Sequence, residues 1–118
     1  MAVSIVAKAE KFFNKFEKSD AYNELLDGTL GLHPAFFDKV KLADNLTIHT
    51  DRYVDQTMKK YKLWIGVSLK YRNEGDRQSF YKVIADTEVV ISDDMAEYFK
   101  DAKNAAIKLT KDVMEKGF

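Results

Sequence analysis

Two histidines are the only imidazoles in the chain, and cysteine is absent. Without thiols there is no disulfide framework, no thiolate metal site and no cysteine nucleophile. Acid–base chemistry would therefore rest on His33 or His49. His49 stands in "HTD", and on a strand that spacing points it and Asp51 to one face. With Asp44 or Asp55 nearby, this is the composition of a carboxylate-oriented base. The polar alternation of any half-buried strand produces the same letters, and the sequence favours that plainer reading. His33 precedes Pro34 and reads as a residue leading into a helix. There is no GxSxG elbow, HExxH pair, phosphate-binding glycine loop or EF-hand spacing, and "GTLGL" is too short and apolar to cradle phosphate. No catalytic residue, metal or cofactor is expected, and the protein is read as a non-enzyme.

Recognition chemistry is better represented. In "KKYKLWIGVSLKYRNEGDRQSFYKVIADTEVVIS" (59–92), strand alternation puts Tyr61, Leu63, Ile65, Val67, Leu69 and Tyr71 on one face. Lys62, Trp64, Gly66, Ser68 and Lys70 fall on the other, so the sole tryptophan lies on the polar side. Asn73, Glu74 and Gly75 suit a three-residue hairpin loop with the glycine left-handed, pairing Arg72 with Asp76. That register sets Val67 against Tyr81, Ile65 against Val83 and Leu63 against Ala85, with Lys62 meeting Asp86 and Lys60 meeting Glu88. A one-residue slip would set Leu63 against Asp86 and invert the second strand. On the polar face Trp64 then lies opposite Ile84, and Phe80 opposite Ser68. The expected binding site is a patch of Trp64, Phe80 and Ile84 rimmed by Lys62, Lys70 and Lys82. Aromatic anchors within a polar rim are the composition of protein–protein hot spots. The expected partner is another protein, as for an inhibitor or adaptor, or further copies of the chain in a homo-oligomer. The competing account is that Leu25, Leu26, Phe36 and Phe37 cover the patch from within the same chain.

Nucleic acid is the alternative ligand. Lys59, Lys70, Arg72, Arg77 and Lys82 are left unpaired by that register and interleave with Tyr61, Trp64, Tyr71, Phe80 and Tyr81. Such a surface neutralises phosphates and stacks on bases. It ranks second because the net charge is zero and only three of nineteen cationic residues are arginine.

The elements that must position these residues follow from the flanking sequence. Residues 2–18 predict a helix, with Val6, Ala9, Phe13 and Phe16 at spacings of three and four. Ser19 or Asp20 can cap a short second helix, "AYNELLD", which Gly28 can end in a left-handed conformation. Pro34 suits the first turn of a brief helical segment. "NLTIHT" reads as a strand near 45–51, while residues 52–58 either extend it or turn. Ser92 is the expected cap of the last helix, whose stripe is Met95, Phe99, Ala102, Ala106, Leu109 and Val113, with Gly117 ending it. The expected fold class is α+β: a small antiparallel sheet, the 59–92 hairpin plus the 45–51 strand, packed by N- and C-terminal helices.

The totals agree with one domain of 118 residues, 46% hydrophobic and 32% charged, with no disorder signature. Charge is segregated: residues 20–55 carry three positive and seven negative groups, 59–82 seven and two, and 83–97 none and five. Adjacent basic and acidic strands can neutralise each other, or mark a partner surface. Lysines at 8, 11, 15 and 18 interrupt every early apolar run, so a cytoplasmic protein without membrane contact is expected. The bias of lysine over arginine is that of AT-rich genomes such as those of many phages, which makes a viral source an expectation. The element order recurs in small assembly, inhibitor and ring-forming proteins.

Overall fold

The computed structural model describes residues 4–28, 39–75 and 77–116. The elements are α1 (Ile5–Glu17), α2 (Asp20–Leu26), β1 (Lys39–Ala43), β2 (Leu46–Asp55), β3 (Lys60–Tyr71), β4 (Phe80–Val90) and α3 (Met95–Lys116). The four strands form an antiparallel meander in the order β1-β2-β3-β4. The architecture is α+β, with the N- and C-terminal helices flanking the sheet. His33, the Pro34 segment with Phe36 and Phe37, Asp76 and the Gly117 stop lie outside the described residues.

Ser4 opens α1 by accepting a hydrogen bond from the Val6 amide at 3.2 Å, satisfying one of the donors that a helix start leaves free. Ile5, Ala9 and Phe13, four residues apart, then bury one face. In α2 Ser19 makes no side-chain cap; its hydroxyl instead donates to the Phe16 carbonyl at 2.6 Å. Gly28 adopts φ +83° after α2, the left-handed conformation that its sequence position suggests. The cap of α3 is Asp94 and not Ser92. Asp94 accepts from the amides of Ala96 at 3.1 Å and Glu97 at 3.3 Å, while the Ser92 hydroxyl accepts only from the Asp94 amide.

The helices occupy one face of the sheet. Leu42, Leu46, Ile48, Leu63, Ile65 and Val67 from the strands join Ile5, Ala9 and Phe13 of α1, Leu25 of α2 and the α3 stripe in one buried cluster. Ala102 and Ala106 of α3 are fully covered, and their small side chains let the helix approach closely. Phe99 sits at the junction, with Tyr22 at 4.9 Å, Phe16 at 5.6 Å and Phe13 at 6.3 Å between ring centroids. Leu25 is thus taken up by the helical layer, where α2 contacts α1 and α3. Among the described residues no helix is long and apolar enough to cross a membrane.

Two further features depart from the sequence reading. Lys39–Ala43 is a strand, placed by the alternation of Val40 and Leu42 with Lys39 and Lys41 and by the following Asp44-Asn45 turn. The β3–β4 register also differs. Trp64 pairs with Glu88, Ile65 with Thr87 and Leu63 with Val89, and the connection runs from Arg72 to Ser79. Gly75 is left-handed at φ +89°, as expected of it, but the hairpin does not close tightly around it. The longer connection moves the partner of each β3 residue by four positions between Lys62 and Val67, an even shift that leaves Ala85 on the core side. A bulge then places Val83 opposite Ser68, with Ile84 as the extra residue.

Candidate functional site

The face of the sheet opposite the helices is built from alternate residues of each strand. Lys39 and Lys41 come from β1, and Thr47, His49, Asp51, Tyr53 and Asp55 from β2. From β3 come Lys62, Trp64, Gly66, Ser68 and Lys70, and from β4 come Tyr81, Val83, Asp86, Glu88 and Val90. No described helix packs on this face.

Trp64 lies at its centre and explains why Gly66 follows two residues later. The indole folds flat along β3, so close that a Cβ on Gly66 would stand 2.3 Å from Cη2 and 2.7 Å from Cζ2. Nε1 donates to Asp86 Oδ2 at 2.9 Å, and the His49 ring meets the indole edge-on at 5.1 Å. The tryptophan is thereby half-buried by its own sheet, with its polar atom satisfied and one ring surface turned outward.

Toward the β2–β3 turn, four side chains form a charged network. Lys62 Nζ is 2.8 Å from Asp55 Oδ2 and 3.0 Å from Glu88 Oε1, and Tyr53 donates its hydroxyl hydrogen bond to Glu88 Oε2. The bond from Lys62 holds the Asp55 carboxyl below the usual range, helped by the Met58 amide; Tyr53, then Lys62, does the same for Glu88. Both carboxylates push the Lys62 pKa up, and Glu88 pushes that of Tyr53 up. Lys62 is only 9% exposed, so it is an internal counter-ion and not part of an accessible rim.

His49 and Asp51 share this face, as their spacing predicts, yet Asp51 does not orient the imidazole; its Oδ1 accepts from the Arg52 amide at 2.9 Å. His49 Nε2 shares a 2.6 Å hydrogen bond with Ser68 Oγ. That distance suits a nucleophile and its base, but Ser68 is 5% exposed in the middle of a paired strand. Backbone amides in such a ladder are committed to neighbouring strands and closed to a developing oxyanion. Among the described residues no three His, Asp or Glu side chains gather as a metal site.

The expected patch is divided. Trp64 and Lys70 stand on the open face, but Phe80 pairs with Tyr71, on the side of the sheet that carries the core, and their rings lie 5.8 Å apart. Lys82 pairs with Leu69 on that same side. Ile84, at the bulge, packs against the core cluster and lines a groove with Leu109 and Val113 of α3. The five cations of the nucleic-acid reading are also divided. Lys59 is in the β2–β3 turn, at the opposite end of the sheet from Lys70, Arg72, Arg77 and Lys82.

The sequence reading counted none of Tyr53, Asp86, Val83 and the β1 lysines as site residues; it set Val83 on the core face and Asp86 against Lys62. The Trp-x-Gly spacing was the one signal present for a ring lying along its strand. The placements of Val83 and Asp86 depend on a register that the loop residues misreport. Compared with protein-family models, curated proteins and solved structures, the chain matches none.

Proposed function

We propose that this protein is a non-enzymatic interaction module that binds another protein through the open face of its sheet. One observation carries the reading: among the described residues the three helices crowd one face, while the other keeps a half-buried tryptophan amid exposed Tyr53, Tyr81, Val83 and Val90. Sheets with one solvated face normally present polar residues there. Large apolar side chains held on a rigid sheet lose little entropy on binding, which suits them as anchors. Trp64, Tyr53, Tyr81 and Val83 are the contact residues in this proposal, with Lys39, Lys41 and Lys70 as the basic margin.

The test is retention from nuclease-treated lysate by tagged protein. A Tyr81→Ser/Val83→Lys variant alters the open face at two exposed positions. Leu26→Ser, on α2, is the control away from it. A protein retained by wild type and Leu26→Ser but lost by the double variant supports the reading. Equal retention by all three, with native circular dichroism throughout, removes the open face as the binding surface.

A further inference from the structure

The open face is electrically bipolar. Near the β1–β2 turn, Lys39, Lys41 and Lys70 come from two strands to line a cleft of about 400 Å³ with Thr47 and Tyr81 of the other two. Among the described residues the one carboxylate lining it is Asp44, 3.7 Å from Lys41 with both side chains in solvent. Toward the other end and the β4 edge the face carries Asp51, Asp55, Asp86 and Glu88, against Lys62 within it and Lys60 at its margin. The network around Lys62 uses Asp55 and Glu88, but Asp51 bonds only a backbone amide in the sheet and remains exposed.

A face that is basic at one end and acidic at the other is complementary to itself. We infer that a second copy of the chain covers it, the two sheets stacking face to face about a two-fold axis that runs across the strands. This inference rests on the proposed role of the open face in protein binding. The direction of the axis follows from charge. An axis along the strands would stack basic end on basic end; an axis across them inverts one sheet and brings opposite charges together. With the angular offset of about 30° usual for aligned sheets, Lys41 of one copy lies toward Asp51 of the other, and Lys70 toward Glu88. Each pair occurs twice, as an isologous interface requires.

The area is sufficient. Four strands at about 4.8 Å spacing and ~30 Å of strand length give roughly 600 Å² per copy, about 1,200 Å² in total, at the lower limit for a specific interface. Trp64, Val83 and Tyr53 supply apolar contact within it. An interface of that size held partly by exposed charge is salt-sensitive.

Sedimentation equilibrium of the full chain, from micromolar to millimolar concentration, tests the inference. Wild type is expected to show twice the chain mass at low salt and to dissociate as salt rises. Lys41→Glu and Asp51→Lys are each expected to be monomeric, since each sets like charges together twice. Mixed in equal amounts, they are expected to regain the doubled mass, because in the mixed dimer the Lys41→Glu substitution faces the Asp51→Lys substitution at one contact and native Asp51 faces native Lys41 at the other, so both contacts join opposite charges. Circular dichroism confirms folding of each variant. A wild type that stays monomeric throughout overturns the second copy as occupant. If that monomer still retains a lysate protein in a manner sensitive to Tyr81→Ser/Val83→Lys, the binding-face reading survives alone. A dimer that neither single variant disturbs overturns this geometry. Monomeric wild type that binds a single-stranded oligonucleotide, with binding lost in Lys41→Glu/Lys70→Glu, makes nucleic acid the occupant and overturns the inference.

Discussion

Gly66→Ala tests how the open face is built. The added methyl would meet the Trp64 indole at 2.3 Å, with Cζ2 at 2.7 Å and Cζ3 at 3.0 Å, so the ring must leave. Departure breaks the Nε1–Asp86 bond, worth about 0.5–1 kcal/mol at an exposed site. It also ends the edge-on contact with His49, about 0.5–1 kcal/mol. Exposing roughly 40 Å² of indole and strand costs about 1 kcal/mol more. Against a loss of about 2–3 kcal/mol, alanine regains about 0.5–1 kcal/mol because glycine weakens a strand interior. The expected net destabilisation is therefore about 1–2.5 kcal/mol. Urea unfolding measures it, and because the chain has a single tryptophan, its emission maximum reports the ring's environment directly. Emission should shift to the red in the variant. The decisive control is Trp64→Ala. The three atoms nearest the added methyl all belong to Trp64, so in its absence Gly66→Ala should become stabilising by about 0.5–1 kcal/mol. The same destabilisation in both backgrounds, or an unchanged emission maximum, would refute the reasoning.

Three further outcomes are expected. Lys59 holds φ +54°, a conformation costly for a side-chain-bearing residue, so Lys59→Gly should raise the urea midpoint by about 0.5–1 kcal/mol equivalent with an unchanged slope. Asp94→Ala should cost about 1 kcal/mol and Ser92→Ala only a few tenths, and the opposite ranking would return the cap to Ser92. Asp55 and Glu88 have depressed pKa values, so the stability they contribute is present above the ordinary carboxylate range and fades as pH falls through their folded values, below about pH 4. In Lys62→Met the Asp55 pKa should rise in a carboxyl NMR titration, and the stability gap from wild type should narrow on acidification; an unmoved Asp55 would show that the Lys62 bond is not its main support.

Local signals carried much of the secondary structure. The three- and four-residue spacing in α1 and α3, the Leu46–Ile48 alternation and the left-handed glycines at 28 and 75 each answer to interactions within a few residues. For the same reason, the core face of β3 was legible, since Leu63, Ile65 and Val67 can share only one side of a strand. The α+β class followed from those elements, because an amphipathic helix and a half-apolar strand have few ways to bury their apolar sides.

Register was a different matter. The loop residues favour a tight turn at Gly75, but the folded sheet moves the β4 partners of Lys62 to Val67 four places and sets Ile84 in a bulge. The turn preference amounts to a local fraction of the energy, whereas seating Ala85, Thr87 and Val89 opposite Val67, Ile65 and Leu63 beside α3 is settled by the whole core. That choice assigns Phe80 and Lys82 to one face and Tyr81 and Val83 to the other. It also gives Lys62 the carboxylate of Glu88, and Trp64 that of Asp86. The sequence by itself determined which residues alternate within each strand, since that is a property of the backbone. Only the tertiary structure decided which strands' alternations meet, because cross-strand partners are chosen by packing at a distance that no local pattern encodes.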